Sequence, residues 1–196
     1  MKYPTSINKI NRNISYSNRG MTLEHELNET NKYYLIHNIA VIHKKPTPIT
    51  ITKVDYPNRY EAVIKEAYFK TPSTTDYNGI YKGKYIDFEA KETKLENFPL
   101  ANIHDHQIEH LKKINEHGGI SFLIVRFTSK NKTFLLETKN LINYINQSNK
   151  KRIPYDFFYE NGYLIKDKFN PRVDYLEIID KIYFKELKGE DLWKSL

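Results

Sequence analysis

A short charged strand is the feature that most constrains the fold of this chain. Residues 85–92 read Tyr-Ile-Asp-Phe-Glu-Ala-Lys-Glu, and the alternation of apolar and charged side chains predicts a half-buried β-strand. Because successive strand residues point to opposite faces, Glu89 and Lys91 share one face, and Phe88 and Ala90 share the other. Residues two apart on a strand lie about 6–7 Å from each other, so this carboxylate and this ammonium act on one small volume.

Three further polar residues complete a set that is typical of metal-dependent phosphodiester hydrolysis. Asp76 precedes the strand, and Gln107 follows it at the start of a predicted helix. The carboxylates of Asp76 and Glu89 are hard oxygen ligands that suit Mg²⁺, and Lys91 would stabilise charge on the phosphoryl oxygens in the transition state. Gln107 and Thr74 would orient a metal-bound water. The set therefore predicts a nuclease.

The spacing alone leaves alternatives open. An aspartate followed after twelve residues by Glu-x-Lys occurs often by chance, and a surface strand of alternating charges explains Glu89 and Lys91 without catalysis. Asp87 shares the face of Glu89 and is an alternative metal ligand. His106 and His110 stand one helical turn apart, but no glutamate supplies the base of an HExxH zinc motif, so we interpret them as ordinary helix residues.

The charge balance favours a polyanionic partner. The 196 residues include 31 Lys+Arg against 24 Asp+Glu, a net charge of +7, which favours nucleic acid over membrane, although a solvated basic surface gives the same balance. No apolar run approaches the length of a membrane span, and no apolar signal core opens the chain. The absence of cysteine excludes disulfides and cysteine-ligated zinc. We therefore expect a cytoplasmic protein without a membrane span.

The order of predicted elements indicates a mixed α/β core. Residues 1–20 are polar and basic and predict a mobile arm that follows phosphates, and residues 21–196 predict a single domain. Thr22 is the expected N-cap of a first helix over about 22–37. Residues 61–70 fit a strand or a helix, and we favour the strand. The other expected strands are 39–43, 49–54, 84–91, 120–127 and 133–137, and the other expected helices are 105–117, 139–147 and 172–187.

Several long segments carry a resemblance to a known family. They are Val-Ile-His-Lys-Lys-Pro-Thr-Pro at 41–48, Glu-Ala-Tyr-Phe at 66–69, Thr-Pro-Ser-Thr-Thr-Asp-Tyr-Asn-Gly at 71–79, Ile-Asp-Phe-Glu-Ala-Lys-Glu-Thr-Lys at 86–94 and the run 98–107. On these residues the chain closely resembles the RecU Holliday junction resolvases of Gram-positive bacteria, from about residue 19 to residue 174. Such nearly contiguous matches are far more specific than a spaced triad.

The resemblance implies both a fold and an activity. The fold is a PD-(D/E)xK restriction-endonuclease-like core, an α/β structure with a mixed β-sheet flanked by helices and a protruding β stalk. The activity is symmetric, Mg²⁺-dependent nicking of four-way DNA junctions by a homodimer, in recombination and DNA repair. One or two metal ions serve each site, with Mn²⁺ as the alternative ion. RecA recombinase and the branch-migration motor are implied partners.

Carried over position by position, the resemblance also assigns roles to residues. It implies a stalk over about 45–70 whose aromatic Phe69 probes the opened crossover. Lys70 stands where an arginine is expected, which keeps the charge but loses the bidentate fork. The implied metal site is Thr74, Asp76, Glu89 and Gln107, with Lys91 as the transition-state lysine, and the implied DNA contacts are Arg19, Phe69 and Lys70. Lys44 and Lys45 are expected DNA contacts because their charges lie beside the stalk, although a solvated basic β-hairpin explains the same segment.

Two other functions stay open at this point. A non-catalytic accessory that binds branched DNA and modulates RecA would need only the basic surface and the stalk. An endonuclease of the same fold that cuts linear duplex is the other alternative. The complete set of acidic, lysine and glutamine residues disfavours the accessory, and the stalk disfavours the linear-duplex enzyme.

Overall fold

The structure is a computed structural model that describes residues 22–57, 62–69 and 74–184. The predicted basic arm with Arg19, and also Lys70, lie outside these ranges. The helices are α1 (Leu23–Ile36), α2 (Asp105–Glu116), α3 (Thr138–Gln147), α4 (Tyr155–Asn161) and α5 (Tyr175–Tyr183). The strands are β1 (Val41–Lys44), β2 (Ile49–Asp55), β3 (Val63–Phe69), β4 (Tyr77–Tyr81), β5 (Lys84–Thr93), β6 (Asn97–Pro99), β7 (Ile120–Phe127), β8 (Lys132–Glu137), β9 (Arg152–Pro154) and β10 (Tyr163–Ile165).

A six-stranded mixed sheet forms the centre of the fold, in the order β1-β4-β5-β7-β8-β10. Strands β5 and β7 pair in parallel, and the other described neighbours in this sheet are antiparallel. Every residue of β7 is buried, because its alternate side chains enter two different cores. One core contains residues of α1 and α5, and the other contains residues of α3 and α4. The predicted mixed β-sheet flanked by helices is confirmed.

The β4–β5 hairpin has a fixed register. Its two-residue turn places Lys82 (φ 47°) and Gly83 (φ 75°) in the left-handed region, which suits the twist of the flanking strands. Tyr77 pairs with Phe88 across the hairpin, and their rings stack with centroids 4.8 Å apart. Phe88 stacks in the same way on Phe122 of β7, again at 4.8 Å. This aromatic stack runs across three neighbouring strands inside the core shared with α1.

The crossover from β5 to β7 places α2 beside the sheet. The chain leaves β5, forms the short strand β6 and a 3₁₀ turn at Leu100–Asn102, and then enters α2. Strand β6 pairs with β9, so the segment after α3 is joined to this crossover. The carboxyl ends of β5 and β7 therefore face the same edge of the molecule as β6 and the start of α2.

Strands β2 and β3 form a separate two-stranded ribbon in the region predicted as the stalk. All residues of both strands are exposed, and the pairing has register irregularities between Ile51 and Val54. The preference for a strand within 61–70 is confirmed over Val63–Phe69. A single domain with an inserted stalk remains a prediction. Within the described ranges, no helix combines the length and the hydropathy that a membrane crossing needs.

Candidate active site

Glu89 is a fully buried carboxylate whose charge is incompletely satisfied. Its exposed fraction is 0%, and among the described residues neither of its oxygens accepts a hydrogen bond of regular geometry. The Lys91 ammonium forms an ion pair with Oε1. Burial, followed by the charge of Asp76, raises the pKa of Glu89 to about 7, while Lys91 and Gln107 act in the opposite direction. A buried carboxylate in this condition is costly, so the site suits a bound cation.

Hairpin pairing brings Asp76 to Glu89. Asp76 comes directly before β4, and the Tyr77–Phe88 pairing sets it opposite the position of Glu89. Its Oδ2 accepts a hydrogen bond from the Ala90 backbone N–H at 3.2 Å, and its carbonyl accepts one from the Lys45 backbone N–H at 2.7 Å. The carboxylate is therefore held against β5 between the two residues of the Glu-x-Lys pair.

Gln107 approaches the same carboxylate from the start of α2. It is buried, and its side chain favours the ionised form of Glu89. Its Oε1 accepts a hydrogen bond from the His104 backbone N–H at 3.0 Å. The amide oxygen, which we expected to orient a water, therefore already has a partner within the helix terminus. Thr74 is exposed, and its hydroxyl accepts a hydrogen bond from Lys45 Nζ at 3.1 Å.

Asp87, the alternative ligand, is also fully buried but is saturated with partners. Its Oδ2 lies 2.8 Å from Lys45 Nζ, 3.1 Å from the Tyr85 hydroxyl and 3.2 Å from His110 Nε2. Its Oδ1 accepts a hydrogen bond from the Thr75 hydroxyl. We refer to these five residues as the Asp87 cluster. Because its oxygens are occupied by protein groups, Asp87 is a poorer candidate for a metal ligand than Glu89.

The residues present fit a divalent cation of the Mg²⁺ type. The described ranges contain no group of three or more His, Asp or Glu side chains arranged as a metal site. The site instead offers two carboxylates, and Mg²⁺ is commonly held by one or two carboxylates together with waters and substrate phosphates. The buried Glu89 carboxylate, whose described ion pair is with Lys91 and which lies close to the second carboxylate of Asp76, is the observation that supports this fit.

The expected DNA contacts differ in their surroundings. Phe69 ends β3 with 83% of its surface exposed. The Lys44 ammonium pairs with Glu24 of α1, and the Lys45 ammonium points to Asp87 inside the domain. Arg19 and Lys70 lie outside the described residues. A cavity of about 350 Å³ adjoins the site and is lined by Thr22, Leu23, Glu24, Asp76, Tyr77, Ala90, Lys91 and Glu92.

Sequence reasoning missed most of the Asp87 cluster as a unit. Thr75, Tyr85 and His110 were not singled out as partners of Asp87, and Lys45 was assigned to DNA. The only local signal is that Tyr85 and Asp87 share a strand face with Glu89. The other partners come from separate elements that meet only in the folded chain.

The mixed sheet and its acid–lysine pair place the protein among α/β proteins with a site suited to phosphodiester chemistry. The family model described as Recombination protein U (RecU) matches residues 18–181. The chain belongs to the RecU family, which confirms the resemblance found in its sequence.

Relatives of similar sequence agree with this membership. Proteins called Holliday junction resolvase RecU from Bacillus cereus (strain AH820) and Bacillus anthracis (strain A0248) are each 58% identical to it over 174 residues, 87% of either chain. A comparison with solved structures matches the Holliday junction resolvase Hjc of Archaeoglobus fulgidus, with a TM-score of 0.44 and 12% identity. That match covers 72% of this chain and 93% of the other.

Proposed function

We propose that this chain is a structure-selective endonuclease that resolves Holliday junctions by symmetric nicking during recombination and DNA repair. The observation that carries the proposal is the buried Glu89 carboxylate, which forms an ion pair with Lys91 and lies beside the Asp76 carboxylate. The names of the relatives, identical at more than half of the aligned positions, support the same activity. We propose that the protein is located in the cytoplasm.

Each side chain of the site has a defined part in the proposed chemistry. Asp76 and Glu89 would hold Mg²⁺, with Mn²⁺ as the alternative ion. Thr74 and Gln107 would complete the oxygen set through the lone pairs that their bonds to Lys45 and to the His104 N–H leave free. A bound divalent ion polarises the phosphate and lowers the pKa of an attacking water. The Lys91 ammonium, which forms an ion pair with Glu89, would stabilise negative charge on the phosphoryl oxygens.

The remaining parts of the proposal concern the junction. Two opposed nicks require two sites related by a two-fold axis, so we propose a homodimer. The exposed ribbon of β2 and β3 would enter the junction as a stalk, and Phe69, which pairs with Ile49 at the end of the ribbon away from the β2–β3 connection, is exposed and would stack on a base. Arg19, Lys44, Lys45 and Lys70 remain proposed DNA contacts. RecA recombinase and the branch-migration motor remain proposed partners.

Cleavage of labelled mobile four-way junctions beside linear duplex, with Mg²⁺ or EDTA, tests this function. Wild type should nick the junction symmetrically, and Asp76→Asn should lose cleavage but retain junction binding, because only a ligand charge is removed. Asp156→Asn, at an exposed position on α4, is the matched control and should cleave normally.

Three results would contradict the proposal in different ways. Full cleavage by Asp76→Asn would show that the metal site is wrong. Tight junction binding by wild type without cleavage under either metal would favour the non-catalytic accessory. Equal cleavage rates on linear duplex and on the junction would indicate a general endonuclease of the same fold.

A further inference from the structure

Three consecutive basic residues occupy the segment between α3 and the start of β9. Lys150, Lys151 and Arg152 are all exposed, and we call them the basic loop. Among the described residues, none of the three belongs to an ion pair. By contrast, lysines on α2, in the β7–β8 turn and on α3 each lie within 4.0 Å of a glutamate. The basic loop is therefore a local concentration of positive charge that the described carboxylates do not neutralise.

The backbone of the basic loop is held in place. The Lys151 carbonyl accepts a hydrogen bond from the Leu100 backbone N–H at 3.0 Å, and the Arg152 carbonyl accepts one from the Tyr144 hydroxyl at 2.7 Å. The next residue, Ile153, is fully buried in the core shared with α3 and α4. An ordered backbone lowers the entropic cost of binding, because the charges are already presented in one place.

The connections of the loop place it at the edge of the active site. Strand β9, which begins at Arg152, pairs with β6, and β6 belongs to the crossover between Lys91 and Gln107. The loop therefore lies at the same edge of the sheet as the carboxyl ends of β5 and β7. A groove of about 380 Å³ separates it from the first turns of α2, with Lys150 and Lys151 among its lining residues.

We propose that the basic loop binds backbone phosphates of a duplex arm as the arm leaves the cleavage site. The proposal rests on the proposed function, which supplies a DNA substrate at this edge. B-form DNA carries one negative charge per about 1.7 Å of helix axis, and lysine or arginine contacts release its condensed counterions. Phosphate contacts of this kind set the position of the duplex without reading its sequence.

The test compares two variants that lose the same charge at different places. The loop variant is Lys150→Gln, Lys151→Gln and Arg152→Gln. The control variant is Lys32→Gln, Lys84→Gln and Lys166→Gln, which removes three exposed lysines from α1, from the turn end of β5 and from the segment after β10. Fluorescence anisotropy of a labelled four-way junction is measured in EDTA, so that binding is read without cleavage.

The loop variant should show a weaker dependence of affinity on salt. Its slope of log affinity against log salt should be shallower by about 2–3, so that between 50 and 200 mM salt wild type loses about 40-fold more affinity than the variant. The control variant should keep a slope close to that of wild type. Equal slope changes in the two variants, or an unchanged slope in the loop variant, would overturn the proposal.

Two further measurements keep the result interpretable. If the triple loop variant unfolds, the double variant Lys150→Gln and Lys151→Gln leaves β9 intact. Its slope of log affinity against log salt should still be shallower than that of wild type by about 1.8. An unchanged slope in that double variant overturns the proposal. Junction cleavage by wild type in Mg²⁺ is assayed separately, so failure of the nuclease activity cannot be mistaken for failure of the basic loop.

Discussion

Asp87 and Glu89 are two fully buried carboxylates on one face of β5, yet their surroundings are opposite. Asp87 has four side-chain partners, including the Lys45 ammonium. Glu89 has an ion pair with Lys91, but its oxygens accept no hydrogen bond of regular geometry from the described residues. Since a buried charge is tolerated only when it is paired and hydrogen-bonded, the fold stabilises the first carboxylate and leaves the second to a ligand.

The Asp87 cluster also explains how the neighbouring site is held in shape. Its members come from the residue after β1, the turn before β4, the strand β5 and the helix α2. That turn carries Asp76, and α2 carries Gln107. The Asp87 carboxylate thus joins the elements that present the candidate metal ligands, whereas Glu89 is itself one of those candidate ligands.

The largest expected effect is the loss of stability when Asp87 is removed. Asp87→Ala leaves the Lys45 ammonium half-buried without its carboxylate and should lower the free energy of unfolding by about 3–5 kcal/mol. Urea denaturation in EDTA measures this. Glu89→Gln is the control and should be at least as stable as wild type at pH 8, because it removes an incompletely satisfied charge. Equal losses in both variants would erase the distinction between the two carboxylates.

The next largest effect is the pH dependence of stability, which should distinguish Glu89 from Asp87. Because the folded pKa of Glu89 is raised to about 7, the metal-free native state binds more protons than the unfolded state between the ordinary glutamate pKa and about pH 7. The stability from protonated Glu89 is complete below that ordinary pKa and is lost as the pH rises through about 7. The difference between wild type and Glu89→Gln should change by up to about 3 kcal/mol between pH 4 and pH 8.

Calorimetric or denaturant unfolding of both proteins across this pH range, in EDTA, provides the measurement. Parallel curves would mean that Glu89 is ionised throughout and is better satisfied than its surroundings indicate.

The smallest expected effect comes from one partner of Asp87. Tyr85→Phe deletes the hydroxyl that lies 3.1 Å from Asp87 and keeps the ring, so it should cost about 0.5–1.5 kcal/mol of stability. Junction cleavage at a fixed Mg²⁺ concentration should stay close to that of wild type. A large loss of cleavage with little loss of stability would instead place Tyr85 in the chemistry.

The parts of the fold that sequence predicted are those with a local signal. The buried run of β7, the alternation of β5 and the Thr22 N-cap all depend on neighbouring residues, and the structure confirms them. Strands β6, β9 and β10 have three residues each, which is too short for periodicity to appear, and α4 has only two turns. The final helix, expected over 172–187, is described only for Tyr175–Tyr183.

The residues of the candidate site also divide into those that have a signal in the sequence and those that do not. Asp76, Glu89, Lys91 and Gln107 were identified from their spacing and from the family resemblance. The role of Asp87 was not, because its partners Lys45, Thr75 and His110 are 42, 12 and 23 residues away in the chain. Lys45 was assigned to DNA by its position near the stalk, a role that stays a prediction beside its contact with Asp87.

The aromatic stack of Tyr77, Phe88 and Phe122 couples correct folding of the core to correct assembly of the candidate site. A slip of one residue in the β4–β5 pairing would turn Phe88 to the buried polar face that Asp87 and Glu89 occupy, and would drive the Glu89 carboxylate into the apolar core. A misaligned hairpin would then lose the core and the catalytic constellation in the same step. Molecules that fold should therefore also have a correctly assembled candidate site, and a well-folded population with a misassembled site is not expected.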